Sequence, residues 1–109
     1  MPYKTNDKKS GDTVYGRKVI NSIIVLATKE ITGVASLHGR GFRAEFNGLI
    51  VDVDVYIHVT SSVSCAEVSY RVQENIKRNV ESMSAFKIGT INVNILGVVF
   101  NEEKKISEV

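Results

Sequence analysis

The stretch Phe42–Val59, "FRAEFNGLIVDVDVYIHV", alternates apolar and polar residues on both sides of an Asn-Gly pair. Strict alternation sends successive side chains to opposite faces of a strand. Asn47-Gly48 is the strongest hairpin signal in the chain, because both central residues of a type I′ turn need positive φ. Two antiparallel strands are therefore expected, 42–46 and 49–59. That turn sets Phe46 opposite Leu49, Ala44 opposite Val51 and Phe42 opposite Val53, all on one apolar face. Val55, Ile57 and Val59 continue the face. The other face carries Asp52, Asp54, Tyr56 and His58. On it Arg43 is expected opposite Asp52, a pairing that contributes about 0.2–1 kcal/mol.

Upstream, "VASLH" (34–38) reads as a further short strand, and "GRG" (39–41) reads as the turn between it and residue 42. Residues 17–31 place Ile20, Ile23, Ile24, Ala27 and Ile31 at spacings of three and four, the stripe of a helix. Gly33 then supplies a left-handed stop. Downstream, residues 61–84 form the clearest helix, with Cys65, Val68, Val72, Ile76, Val80 and Met83 as its buried stripe. Ser64 is its expected N-cap, completed by Glu67 as a capping box. Glu67–Arg71 and Glu74–Arg78 are spaced as i,i+4 pairs. Residues 86–100 alternate again, Ile91, Val93 and Ile95 against Asn92, Asn94 and Leu96. A helical crossover makes this last strand parallel to strand 49–59. The expected fold is α+β: a two-layer sandwich with one mixed sheet of about four strands and two helices on one face, in the order α-β-β-β-α-β. Residues 12–100 form the single domain. Residues 1–11 read as a disordered lead and 101–109 as a charged tail.

At 109 residues the chain suits one domain. Its 14 basic and 12 acidic residues leave a net charge of +2, too balanced to argue for nucleic acid on charge alone. One cysteine allows neither an internal disulfide nor a cysteine-built metal site. The first residues are polar, with no apolar run of a signal peptide. "VINSIIVLA" (19–27), the longest apolar run, falls short of the roughly 20 residues that span a bilayer. A cytoplasmic protein is expected, with any membrane contact made through a partner.

The last third, "VQENIKRNVESMSAFKIGTINVNILGVVF" (72–100), closely resembles the signature of the bacterial alkaline shock protein 23 family, small envelope-stress-related proteins. Val72-Gln73, Ile76-Lys77, Val80-Glu81, Met83 and "INVNILGVVF" carry the match. "ITGVASL", "LIVDVDVYIHV" and "GDTVYGRKVINSIIVLATKEI" resemble the family's earlier segments, so the likeness covers about residues 11–100. "VTSSVS" and "MSAF" depart from the family where it commonly has glycine. The resemblance implies a non-enzymatic cytoplasmic protein that associates with itself or with a membrane-anchored family member. It transfers no catalytic residue, cofactor or metal site.

The residues themselves offer several candidates. Asp52 and Asp54 lie about 6.5–7 Å apart along a strand face, a spacing open to a hard cation, but Ca²⁺ wants six to eight oxygens and His58 lies two steps further on. An uncovered sheet face is the plainer reading. Cys65 beside His58 or His38 has the makings of a nucleophile, yet its place on the helix stripe makes it a small buried hydrophobe. Gly39-Arg40-Gly41 next to His38 has amides and a guanidinium for an anion but lacks nucleotide-loop spacing. The element order is similar to small RNA-binding sandwiches such as KH domains, which need a GXXG loop absent here. The expected site is a partner surface: Tyr56, Leu96, Val98 and Phe100 on the open sheet face, where polar residues give way to apolar ones. Val19, Val25 and Leu26, off the stripe of the first helix, offer a second surface. The alternatives are a small RNA-binding module, or a metal-binding or enzymatic domain using Asp52, Asp54 and His58.

Overall fold

The computed structural model describes the backbone of residues 3–100 and the side chains of residues 16–100. Five elements follow in the order α-β-β-α-β: α1 (Tyr3–Lys29), β1 (Val34–Asn47), β2 (Ile50–Thr60), α2 (Cys65–Met83) and β3 (Lys87–Val99). The sheet order is β1-β2-β3, with β1 antiparallel and β3 parallel to the central β2. The expected α+β class and mixed sheet are present, with three strands among the described residues rather than four.

The missing strand has a physical cause. "GRG" does not reverse the chain. Gly39 and Gly41 have φ of +58° and +89°, and the residues between Leu37 and Phe42 form a bulge. Leu37 pairs with Ile57 and Phe42 with Val55, so four residues of β1 stand against Tyr56 alone. β2, 11 residues long, is long enough to pair both pieces. A glycine pair with positive φ serves a bulge as readily as a turn.

The hairpin register is displaced by one pair. Asn47 pairs with Ile50, Phe46 with Val51, Ala44 with Val53 and Phe42 with Val55. The turn is Gly48-Leu49, with Gly48 at φ +65° and no non-glycine residue at positive φ among those described. Glycine first is the type II′ pattern. Side chains alternate with period two, so the new register keeps Phe42, Ala44, Phe46, Val51 and Val53 on their expected face, while Leu49, expected opposite Phe46, moves into the turn and is exposed. The register also changes the polar pairs: Arg43 faces Asp54, and Asp52 faces Glu45. Neither makes an ion pair with Arg43 among the described residues.

The helices explain which face is covered. α1 buries Ile20, Ile23, Ile24 and Ala27, as expected of its stripe; α2 buries Val68, Val72, Ile76 and Val80. Both join Val51, Val53, Val55, Ile57 and Val59 of β2 in one cluster, each of those five at most 1% exposed. At roughly 1.5–3 kcal/mol for each buried side chain of this size, that row is the main source of stability. α1 begins at Tyr3, upstream of the expected residue 17. Side chains of the expected lead (1–11), and the tail (101–109), lie outside the described residues. α1 ends before Gly33, at φ +107°, where a Cβ would sit 2.7 Å from Val68 Cγ2. Asn75 of α2 ties that end down by donating to the Ala27 carbonyl at 2.8 Å and to Glu30 Oε1 at 2.9 Å.

Ser64 is the N-cap of α2 and accepts from the Glu67 N–H at 3.3 Å. The Glu67 carboxylate accepts from Arg71 at 2.6 Å, so it serves the i,i+4 pair. The second pair on α2 is Lys77–Glu81 at 3.5 Å; Glu74–Arg78 does not close among the described residues. Cys65 and Met83, expected on the buried stripe, are exposed. Both sit at the ends of α2, where the helical turn carries the stripe past the edge of the sheet.

Candidate functional site

The uncovered face of the sheet is held together laterally. Asp52 Oδ1 accepts from the Thr90 N–H at 2.9 Å and from its hydroxyl at 3.0 Å. Gly89 is the extra residue of a β3 bulge there, and a Cβ on it would clash with the same Oδ1. Asp54 Oδ1 accepts from Asn92 Nδ2 at 2.9 Å. Asn94, paired with Tyr56, donates to the Val55 carbonyl at 3.2 Å. The two carboxylates therefore bind β3, and His58 turns toward β1, where its Nε2 lies 3.2 Å from His38 Nδ1. Asp52, Asp54 and His58 do not converge, and no three His, Cys, Asp or Glu side chains gather as for a metal among the described residues.

The outer edge of β3 divides in two. α2 covers its first half. Glu81 Oε2 accepts from the Ile88 N–H at 3.0 Å, and Gln73 Nε2 donates to the Ile91 carbonyl at 2.9 Å. The hydrogen bond from Ile88 holds the Glu81 carboxyl below its ordinary range, helped by Lys77. Unpaired strand edges attract other strands, and side chains that occupy their amides and carbonyls prevent it. Beyond Ile91 no further hydrogen bond of this kind comes from α2 among the described residues. Leu96 is the extra residue of a second bulge, between the pairs Ile57–Ile95 and His58–Gly97.

That bulge corrects the expected placement of the partner residues. It shifts the alternation, so Val98 pairs with Val59 on the helix side and Val99 with Thr60 on the open side. Leu96, Val98, Val99 and Phe100 are 49%, 44%, 43% and 59% exposed. They cluster at the end of β3 rather than along one face. Tyr56 is half-buried and lines, with Leu96, His38, Arg40, Phe42 and Arg43, a groove of about 510 Å³. On α1, Val19 and Leu26 are exposed and Val25 half-buried. The Gln73 and Glu81 contacts and the histidine pair had no sequence signal beyond residue type, because each depends on the register of the two bulged strands.

A profile of the alkaline shock protein 23 family, described as having a cell envelope-related function, matches residues 38–100. YqhY of Bacillus subtilis strain 168, itself uncharacterised, is 30% identical over 121 residues, covering 94% of this chain and 90% of YqhY. The uncharacterised Spy1535 of Streptococcus pyogenes serotype M6 is 27% identical over 109 residues, covering 87% of this chain and 84% of its own. Among solved structures, a triply substituted MamM CTD superposes with a TM-score of 0.55 at 18% identity, over 76% of this chain and 96% of that domain. At that identity the likeness is one of fold. No helix among the described residues is long and apolar enough to cross a membrane.

Proposed function

This chain belongs to the alkaline shock protein 23 family, and from that premise we propose that it is a non-catalytic, cytoplasmic interaction module of cell-envelope homeostasis or stress. It associates with chains of its own kind, a second copy first, and reaches the membrane through a membrane-anchored family member. The observation that carries this reading is the change along β3: α2 closes the edge up to Ile91, while Leu96, Val98, Val99 and Phe100 stand exposed beyond it. A free strand edge takes up another strand by main-chain hydrogen bonds. Residues 88–101 carry no charge, so two copies pair antiparallel with apolar residues against apolar ones and no like charges facing.

The test is sedimentation velocity of the full chain across micromolar concentrations. A monomer–dimer equilibrium is expected, and Leu96→Asp with Phe100→Asp shifts it to monomer without changing the circular dichroism. A strict monomer at every concentration overturns self-association. A dimer that the double variant leaves intact overturns this surface and points to Val19 and Leu26 of α1.

A further inference from the structure

The chain contains two histidines, 20 residues apart in sequence, and the fold brings them together. His38 stands at the start of the β1 bulge, and His58 near the end of β2. Their facing nitrogens, Nδ1 of His38 and Nε2 of His58, are 3.2 Å apart, with ring centroids at 5.3 Å and planes tilted by 53°. Ser36 pairs with His58 and Leu37 with Ile57, so alternation puts His38 on the His58 face, one diagonal step away. Gly39 and Gly41, at positive φ, follow directly, and regular pairing stops after Leu37. On the other side, a Cβ on Gly97 would lie 2.9 Å from His58 Nδ1, so its absence lets that imidazole rest over β3.

The contact is exposed to solvent, where one hydrogen bond between neutral rings gains little over bonds to water. The same geometry is better matched to a shared cation. Bonds of about 2.0–2.1 Å from one ion to nitrogens 3.2 Å apart enclose an angle of about 100°, between square-planar and tetrahedral. Rotation about the last side-chain torsion, which is soft for histidine, aims both lone pairs at that point. Imidazole nitrogen favours Zn²⁺, Cu²⁺ and Ni²⁺ over Mg²⁺ and Ca²⁺.

We propose that His38 and His58 form a two-nitrogen chelate for a borderline divalent cation of the zinc and copper class. Each ring gives one lone pair. The ring that donates the hydrogen bond moves its proton to its other nitrogen, so both remain neutral and nothing is oxidised or reduced. Tyr56, two residues before His58, is about 6.5–7 Å away along the strand and stays outside the inner shell. Water or an exogenous ligand fills the remaining positions, which makes the ion exchangeable. Arg40 and Arg43 line the groove beside His38 and favour an anion as that ligand. The site borders the association surface, since Leu96 lines the same groove as His38, but its two ligands lie on β1 and β2 and not on the β3 edge.

The test uses the untagged full chain, with ZnCl₂ as the probe and MgCl₂ as the control. With two histidines in the chain, their ring Cε1–H resonances give two readable signals. Zinc is expected to move both together, saturating at one ion per chain, or one per two chains if a second copy supplies the missing ligands; magnesium moves neither. In calorimetry, His38→Ala and His58→Ala each weaken zinc binding by at least about tenfold, the lower end of what even an outer-shell loss costs. Gly97→Ala weakens it while preserving the circular dichroism. Ring signals that stay in place up to millimolar zinc overturn the proposal. So does zinc binding that survives unchanged in the double alanine variant.

Discussion

From Lys87 to Ile91, β3 is held on both flanks: Asp52 binds the Thr90 amide from β2, while Glu81 and Gln73 of α2 take the Ile88 amide and the Ile91 carbonyl. From Leu96 to Phe100 the same segment has exposed apolar side chains and, among the described residues, no such cover from α2. Each half carries one glycine and β-branched residues, Lys-Ile-Gly-Thr-Ile against Leu-Gly-Val-Val-Phe, though only the first has polar side chains. The difference lies in what the neighbouring helix reaches. α2 runs antiparallel to β3, so Glu81 and Gln73 reach the start of the strand, and among the described residues no such ligature reaches the other half, which is left available for pairing.

Four substitutions sharpen or break that division. The largest effect belongs to neither half but to the floor beneath both. Ile57 is fully buried on central β2, and Ile57→Ala costs about 2–5 kcal/mol in urea unfolding. A smaller loss would mean that the helices do not cover this row. Gly89→Ala comes next. Its Cβ displaces the Asp52 carboxylate from Thr90, for a loss of about 1–3 kcal/mol, and amide exchange at Thr90 accelerates. An unchanged rate there would show that the bulge is not held by Asp52.

Glu81 gives the third, a pH dependence. Its folded carboxyl is held below the ordinary glutamate range by the Ile88 N–H. A depressed carboxyl stabilises the fold above its unfolded pKa, and that contribution disappears as pH falls through the folded one. Glu81→Gln is therefore expected to unfold more easily than the parent at neutral pH, with the gap closing as the solution becomes acidic. A gap of constant size across that range would assign the difference to packing instead. The smallest effect is at the open end: Leu96→Ala changes monomer stability by no more than about 0.5 kcal/mol, whereas its effect on association is measurable by sedimentation. A large stability loss would place Leu96 in the core and remove it from the surface.

Much of this architecture is legible in the residues alone. The Val51–Val59 row, the stripes of α1 and α2, the Ser64 cap and the parallel return of β3 follow from period and spacing, which are local properties. What escaped were registers. "GRG" carries the glycines of a turn, and "NG" those of a type I′ hairpin, yet one became a bulge and the other a turn displaced by a residue. A two-residue shift leaves the apolar face intact, so hydrophobic pattern cannot tell the two registers apart; the polar pairs that could tell, Arg43 with Asp52 or Asp54, are too weak to choose. The same ambiguity hid the site. A bulge at Leu96 redirects Val98, and the pairing of Ser36 with His58 sets His38 beside that ring.

By itself the sequence determined the class of fold, its buried row and its family, because burial periodicity and the order of elements are written along the chain. Only the tertiary structure decided which edge of β3 is closed, where its apolar end projects and that both histidines share one spot. Those depend on bulges and side-chain reach between distant segments, whose energies of a kcal/mol or so are settled only when the whole sheet is paired.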